Sequence, residues 1–303
     1  MMNDGIVIVD KKEGITSHEI VSYFRKKFDT PKVGHSGTLD PFATGVMVVG
    51  INRGTKILHF LSAQRKNYHV TAELGKITDT FDISGKVKEI NEVTNENLLN
   101  LESVVMSFIG KYEQTTPAYS ARRYQGKRLY EYARQGKIIS LPIKEVEIFS
   151  IEELMQNGKE FSFTVSVSSG TYIRSLIMDI GYKLGCGAVA TKLRRLKSGS
   201  FDISQSKKME DISFSDIINI ENSLDFPQIR VFDGTKVING IQIFKNDIMS
   251  YDEFTKGSYL RLFDENNEFL GLGVAEKNSS FMPFLLNSTD RNDRVVKIFR
   301  IMR

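Results

Sequence analysis

Asp40 stands in the run Gly34-His35-Ser36-Gly37-Thr38-Leu39-Asp40-Pro41, just ahead of an apolar stretch, Val46 to Ile51, that reads as a buried strand. A carboxylate wanted only for solubility would not need so short and stiff a mount. The two glycines open backbone conformations closed to other residues, while Pro41 fixes its own φ and turns Asp40 away from helical backbone. An isolated Asp-Pro is a simple turn whose carboxylate bonds its own backbone. Three further segments argue for more. Lys66-Asn67-Tyr68 brings a phenol to the start of a strand, where a core tyrosine is the plain alternative. Ser169-Gly170-Thr171-Tyr172-Ile173-Arg174 puts a cation in the first turn of a helix, which opposes the helix dipole unless an anion faces it. Leu193-Arg194-Arg195-Leu196 alternates so as to turn leucines to a core and arginines outward, or else forms an edge strand with basic gatekeepers.

Several elements position these groups. Gly5 to Val9 reads as a strand, and Thr16 with Glu19 has capping-box spacing before a helix faced by Ile20, Val21, Phe24 and Phe28. Tyr68 to Leu74 reads as a strand, Gly75 to Gly85 as a polar loop within a hairpin, and Leu98 to Ile109 as helix. Phe161, Phe163, Val165 and Val167 alternate with Ser and Thr as in a half-buried strand. Thr171 opens a helix that Gly185 closes. Strands and helices mix without a βαβ rhythm, which predicts an α+β fold with a mixed, largely antiparallel sheet and flanking helices. Ser204 to Asp225 is polar and weakly helical, a connector. Beyond Phe226 the texture is short β segments, with Tyr259–Phe263, a turn over Asp264 to Glu268, and Phe269–Ala275 forming a hairpin. The expected domains are therefore 1–225 and a small β domain, 226–303.

A chain of 303 residues with 41% hydrophobic and 26% charged residues has material for more than one globular domain. The start lacks a basic region followed by an apolar core, no apolar run approaches a membrane span, and Cys186 is the only cysteine. Together these predict a protein of the reducing cytoplasm without an internal disulfide. His18, His35, His59 and His69 are scattered and form no close-spaced metal pair, and there is no phosphate-binding glycine loop. Chemistry without metal or cofactor is the expectation. Gly34-His35-Ser36-Gly37 lacks the Gly-x-Ser-x-Gly spacing of a serine hydrolase.

Taken together, the segments resemble the bacterial TruB-type tRNA pseudouridine synthases, which make pseudouridine 55 in the T-loop. The resemblance runs through most of the chain before residue 200. It begins with Asp10-Lys11, His35-Ser36-Gly37-Thr38-Leu39-Asp40-Pro41, Lys66-Asn67-Tyr68, and Gly75 with Thr78-Asp79-Thr80. It continues through Pro117-Ala118-Tyr119-Ser120-Ala121, Tyr124-Gln125-Gly126-Lys127, Gly170-Thr171-Tyr172-Ile173-Arg174 and Leu193-Arg194-Arg195-Leu196. The resemblance implies that Asp40 is the essential aspartate, which attacks the ribose or the uracil ring or acts through a glycal. It implies that Tyr68 stacks on the target base and takes part in proton removal, and that Arg174 pairs with Asp40. It further implies that Leu193 touches the base from below, that Tyr172 is a second active-site tyrosine, and that His35 helps hold the extruded nucleotide. The family often has proline after the lysine of its first motif, whereas this chain has Lys12-Glu13-Gly14, which leaves Lys11 as support for the active-site loop. An insertion that clasps the T-arm and a C-terminal PUA-like domain are also implied.

Lys111 to Lys137 holds seven Lys or Arg residues against two acidic ones and five of the eleven tyrosines. Cations meet phosphates and tyrosines stack on unpaired bases, so this bias favours RNA contact, with an amphipathic helix over Leu129 to Arg134 as the plainer reading. Arg122, Arg123, Lys127 and Arg128 are the phosphate candidates, and Lys192, Arg194, Arg195 and Lys197 form a second basic cluster. The expected protein is a stand-alone monomer that isomerises a T-loop uridine in tRNA, with no membrane and no obligate protein partner. Two other readings stay open: an RNA-binding or tRNA-folding protein whose catalysis is secondary or absent, and a guide-RNA-dependent relative.

Overall fold

Alternating burial builds the centre of the first half of the chain. Strands Lys66–Leu74 and Glu160–Val167 bury every second residue and pair antiparallel, with Tyr68 opposite Val165. The computed structural model describes residues 4–120, 122–135, 140–287 and 293–302, and the chain divides into two compact units, Met1–Ile217 and Ile218–Arg303. Among the described residues no helix is long and apolar enough to cross a membrane.

In the first unit a sheet runs in the order Gly5–Lys11, Thr44–Ile51, Ala188–Ser198, Lys66–Leu74, Glu160–Val167, Ile143–Asn157, Gly110–Thr115. Its pairings are antiparallel except where Arg194 and Arg195 meet Thr44 and Gly45 in parallel. Gly45 makes that approach possible: its φ is +101°, and a Cβ there would lie 2.2 Å from the Arg195 carbonyl oxygen. Gly34 and Gly37, expected to supply unusual backbone, do not have positive φ. A Cβ at Gly34 would instead crowd Leu58 at 3.1 Å, so its smallness serves packing.

Helices Asn95–Met106 and Ile173–Leu184 cover one core, in which Leu101, Val105, Leu176, Ile177 and Ile180 pack with Val70, Ala72 and Phe163. Helix Ser17–Lys27 has the predicted Thr16–Glu19 capping box and lays Ile20, Val21 and Phe24 against Val7, Val9, Met47 and Val49. Burying each such side chain is worth roughly 1.5–3 kcal/mol. Two helix starts differ from expectation. Thr171 precedes the helix, which begins at Ile173 after Tyr172 and ends as predicted at a left-handed Gly185. The helix read as Leu98 to Ile109 lies earlier, because Thr94 and Asn97 cap it reciprocally. Gly75 to Gly85 is not wholly loop: Lys76–Thr78 pairs with Val87–Ile90.

The segment read as a connector is partly built into the first unit. Lys207 exchanges backbone bonds with Ile8 (3.1 Å) and Asp10 (2.8 Å), and Ile212 is buried in the core beside Phe24. Its regular elements include 3₁₀ turns such as Ile203–Gln205 and Phe214–Asp216 and the short strand Ile218–Asn219. In the second unit the predicted hairpin Tyr259–Phe263 and Phe269–Ala275 pairs antiparallel within a six-stranded sheet over a core that includes Ile229, Leu260, Leu262, Leu270 and Val296. The whole is α+β with a small C-terminal β domain.

Candidate active site

The loop that carries Asp40 is tied down on three sides. Ser17 Oγ, at the head of its helix, accepts from Leu39 N at 2.9 Å and donates to Leu39 O at 3.0 Å. Gly14 N donates to Pro41 O and Ala43 N to Asp40 O. Lys11, wholly buried, donates from Nζ to Ala43 O at 2.6 Å and to Pro41 O and Lys12 O at 3.1 Å. Burial pushes its ammonium down to about 8 although Asp40 pulls it up. The support role read for Lys11 is what these bonds describe.

Arg174 meets Asp40 as a fork. Its Nε donates to Oδ2 at 2.8 Å and its Nη2 to Oδ1 at 3.0 Å. The guanidinium is 3% exposed, while the Asp40 side chain keeps 31% of its surface open. The cost of a cation in the first helical turn is therefore offset by two carboxylates. Asp82, buried on the loop of the Lys76–Ile90 hairpin, forms the second pair at 3.2 Å to Nη1. The remaining donors reach Thr80 O at 2.5 Å and Tyr119 O at 3.1 Å. Burial pushes the Asp40 carboxyl up from its ordinary value, Arg174 pulls it down, and the Asp82 charge pushes it up again.

These groups open on a cavity of about 340 Å³, a size suited to a small ligand. Asp40, Tyr68, Tyr172, Arg174, Leu193 and Arg122 all line it. Tyr68 belongs at once to the core, as the plain reading has it, and to this wall. Burial raises the Tyr172 phenol. Gln114 seats that residue by accepting from Tyr172 N at 2.7 Å and donating to Tyr172 O at 3.1 Å. His35 ends strand Val33–His35, one residue before the lining begins at Ser36. Arg122 donates to Thr116 Oγ1 at 3.0 Å from the cavity wall, whereas Lys127 is exposed on the short hairpin Arg123–Tyr124 and Lys127–Arg128. The side chains of Arg123, Arg128 and Arg134 lie outside the described residues, as do Ala121 and Lys137.

The reading of Leu193-Arg194-Arg195-Leu196 is overturned. The segment lies in a central strand, not at an edge. A period of two puts Leu193 with Arg195 on one face and Arg194 with Leu196 on the other, so both leucines cannot face the core together. Arg195 is 1% exposed and donates to Val46 O at 2.6 Å and Gly37 O at 3.2 Å. Arg194 pairs with Asp10 at 2.8 Å, which leaves Lys192 and Lys197 as the exposed members of that basic cluster. Asp82 and Gln114 were not singled out from sequence. The one signal for Asp82 is its setting among Thr80, Ser84 and Gly85, the composition of a tight polar turn.

Comparison with known proteins bears on the same elements. A family model described as the TruB family pseudouridylate synthase N-terminal domain matches residues 25–173, one for the tRNA pseudouridylate synthase B C-terminal domain matches 174–224, and a PUA-like domain model matches 240–282. A tRNA pseudouridine synthase B of Thermotoga maritima is 46% identical over 309 residues, covering 99% of each chain. Another from Clostridium perfringens is 37% identical and covers 93% of this chain and 99% of its own. Among solved structures, one from a Cbf5–Nop10–Gar1 complex superposes with a TM-score of 0.73 at 25% identity, covering 100% of this chain and 86% of that one. One from an H/ACA ribonucleoprotein bound to a substrate RNA also gives 0.73, at 24% identity over 100% of this chain and 86% of that one, and speaks to the fold alone.

Proposed function

Since the chain belongs to the TruB family of pseudouridine synthases, we propose that it converts a uridine of tRNA, position 55 in the T-loop, to pseudouridine. In that reaction the C1′–N1 bond breaks, a C1′–C5 bond forms, the C5 proton leaves and N1 gains one. Atoms and electrons balance within the nucleoside, so the step needs no external oxidant or reductant. A uridine in a folded loop must first be everted, at a cost of a few kcal/mol, and stacking on Tyr68 returns roughly 1–3 kcal/mol of it. Asp40 is the nucleophile or the group that initiates glycal formation, aimed by Arg174, whose charge favours the ionised form against the effect of burial. Tyr172 and Leu193 bound the base, His35 steadies the everted nucleotide, and Arg122, with Arg123, Lys127 and Arg128, meets phosphates. The residues of 1–225 carry the chemistry and 226–303 add RNA contact. The protein works as a monomer without a guide RNA.

The observation that carries this reading is the two-point Arg174–Asp40 fork, facing a cavity walled by Tyr68, Tyr172 and Leu193. A pure RNA binder has no use for a carboxylate so mounted. The test is incubation of the purified full chain with a uridine-labelled T-arm stem-loop, without cofactor. Pseudouridine at the T-loop position is expected; tight binding without product refutes the enzymatic reading.

A further inference from the structure

We propose that Lys66 and Arg195 form an anion site in the wall of the cavity, and that its ligand is an RNA phosphodiester flanking the everted uridine. The proposal rests on the function proposed above. The two residues belong to adjacent strands, Lys66–Leu74 and Ala188–Ser198, and both line the cavity. They are 6% and 1% exposed, yet neither makes an ion pair with a carboxylate among the described residues. Lys66 Nζ donates to Ser62 O at 2.7 Å and Gln64 O at 2.6 Å, and among the described residues Arg195 donates only to the carbonyls of Val46 and Gly37. Carbonyl dipoles orient the two cations without neutralising them, and donors remain on both heads.

The charges acting on Lys66 are those of Arg195 and Lys144, both of its own sign. Burial and that repulsion push the ammonium down to about 8. Two buried like charges cost stability that a full negative charge between them would recover. The acceptors of uracil are neutral carbonyls, whereas a polynucleotide brings one negative charge per residue. A Cβ at position 37 would sit at contact distance from both, 3.5 Å from Arg195 Nη1 and 3.8 Å from Lys66 Cε, so Gly37 puts no side chain against the two cations on the side of the Asp40 loop. From Gly37 to Asp40 the loop spans three residues, at most about 10 Å, an extent one nucleotide covers from sugar to phosphate.

The probe is the T-arm stem-loop carrying one uncharged methylphosphonate, placed 5′ or 3′ of the target uridine, or in the stem as a control. With the unaltered protein, one flanking position should weaken binding about tenfold, as loss of a charge-assisted contact does. Lys66→Met should lose the same factor on unmodified RNA and nothing more when the sensitive linkage is also neutral. The stem control should add its effect in both proteins. Lys66→Arg should keep the sensitivity. Equal losses for Lys66→Met and the unaltered protein at the flanking positions overturn the proposal. So does insensitivity of the unaltered protein at both, a result that needs no variant to fold. Product formation on unmodified RNA in the same tubes separates failure of this site from failure of the reaction.

Discussion

Replacing Arg174 with lysine keeps the charge and removes the fork, and the structure sets how much should follow. The guanidinium makes five polar contacts: Asp40 Oδ1 and Oδ2, Asp82, Thr80 O and Tyr119 O. An ammonium has three donors on a compact, strongly hydrated point charge, so at least two of the five acceptors lose their partner. At roughly 1.5–3 kcal/mol for each charged bond, Arg174→Lys should cost about 3–6 kcal/mol of stability, a large share of what a domain usually has. The remaining protein should still fold at reduced temperature, because Lys can satisfy one carboxylate. Asp40 would then be held at one point and free to rotate. Misplacing a reacting group by about 1 Å can cost 10²-fold in rate. Single-turnover pseudouridine formation, measured with saturating protein at a temperature where circular dichroism shows a folded variant, should fall by about that factor or more. RNA affinity, read by filter binding, should change far less, because Arg174 is buried beneath Asp40. Turnover within about threefold of the unaltered protein, a difference of under about 0.7 kcal/mol, would refute the argument that the fork aims the carboxylate.

Asp40→Asn should abolish product while largely sparing RNA binding; near-normal turnover would remove Asp40 from the chemistry. Asp40 must be ionised to act, and burial raises its pKa in the folded protein, so single-turnover rate should fall as pH drops through that raised value. The acid limb should therefore lie above the ordinary aspartate value of 3.8, and a rate still flat down to that pH contradicts the assigned environment. Arg122→Glu should weaken RNA binding and lower the slope of log Kd against log salt by about one or more. An unchanged slope clears Arg122 of phosphate contact.

Residue types and local periodicity were enough to read much of the framework. The Thr16–Glu19 cap, the alternation at Phe161 to Val167, Gly185 after the long helix and the hairpin from Tyr259 are decided by neighbours within a few residues. The Asp40–Arg174 pairing was legible for a different reason. A cation at a helix start needs an anion, and the family pattern named which one.

Long-range geometry decided the rest. Arg195 looked like a surface charge because Leu-Arg-Arg-Leu carries no sign of which face its strand buries; the parallel contact at Gly45 and the carbonyls of Val46 and Gly37 draw it inward. Asp82 reaches Arg174 only because its hairpin loop bridges to Ala190, over a hundred residues away. Gln114 finds Tyr172 by the same kind of fold-back. Short-range preferences were enough for most of the helices and strands, and the family pattern pointed to Asp40. The cavity, its unneutralised cations and the second carboxylate on Arg174 arise from strands far apart in the chain, since a buried charge is stabilised by whatever the fold brings within about 3 Å of it.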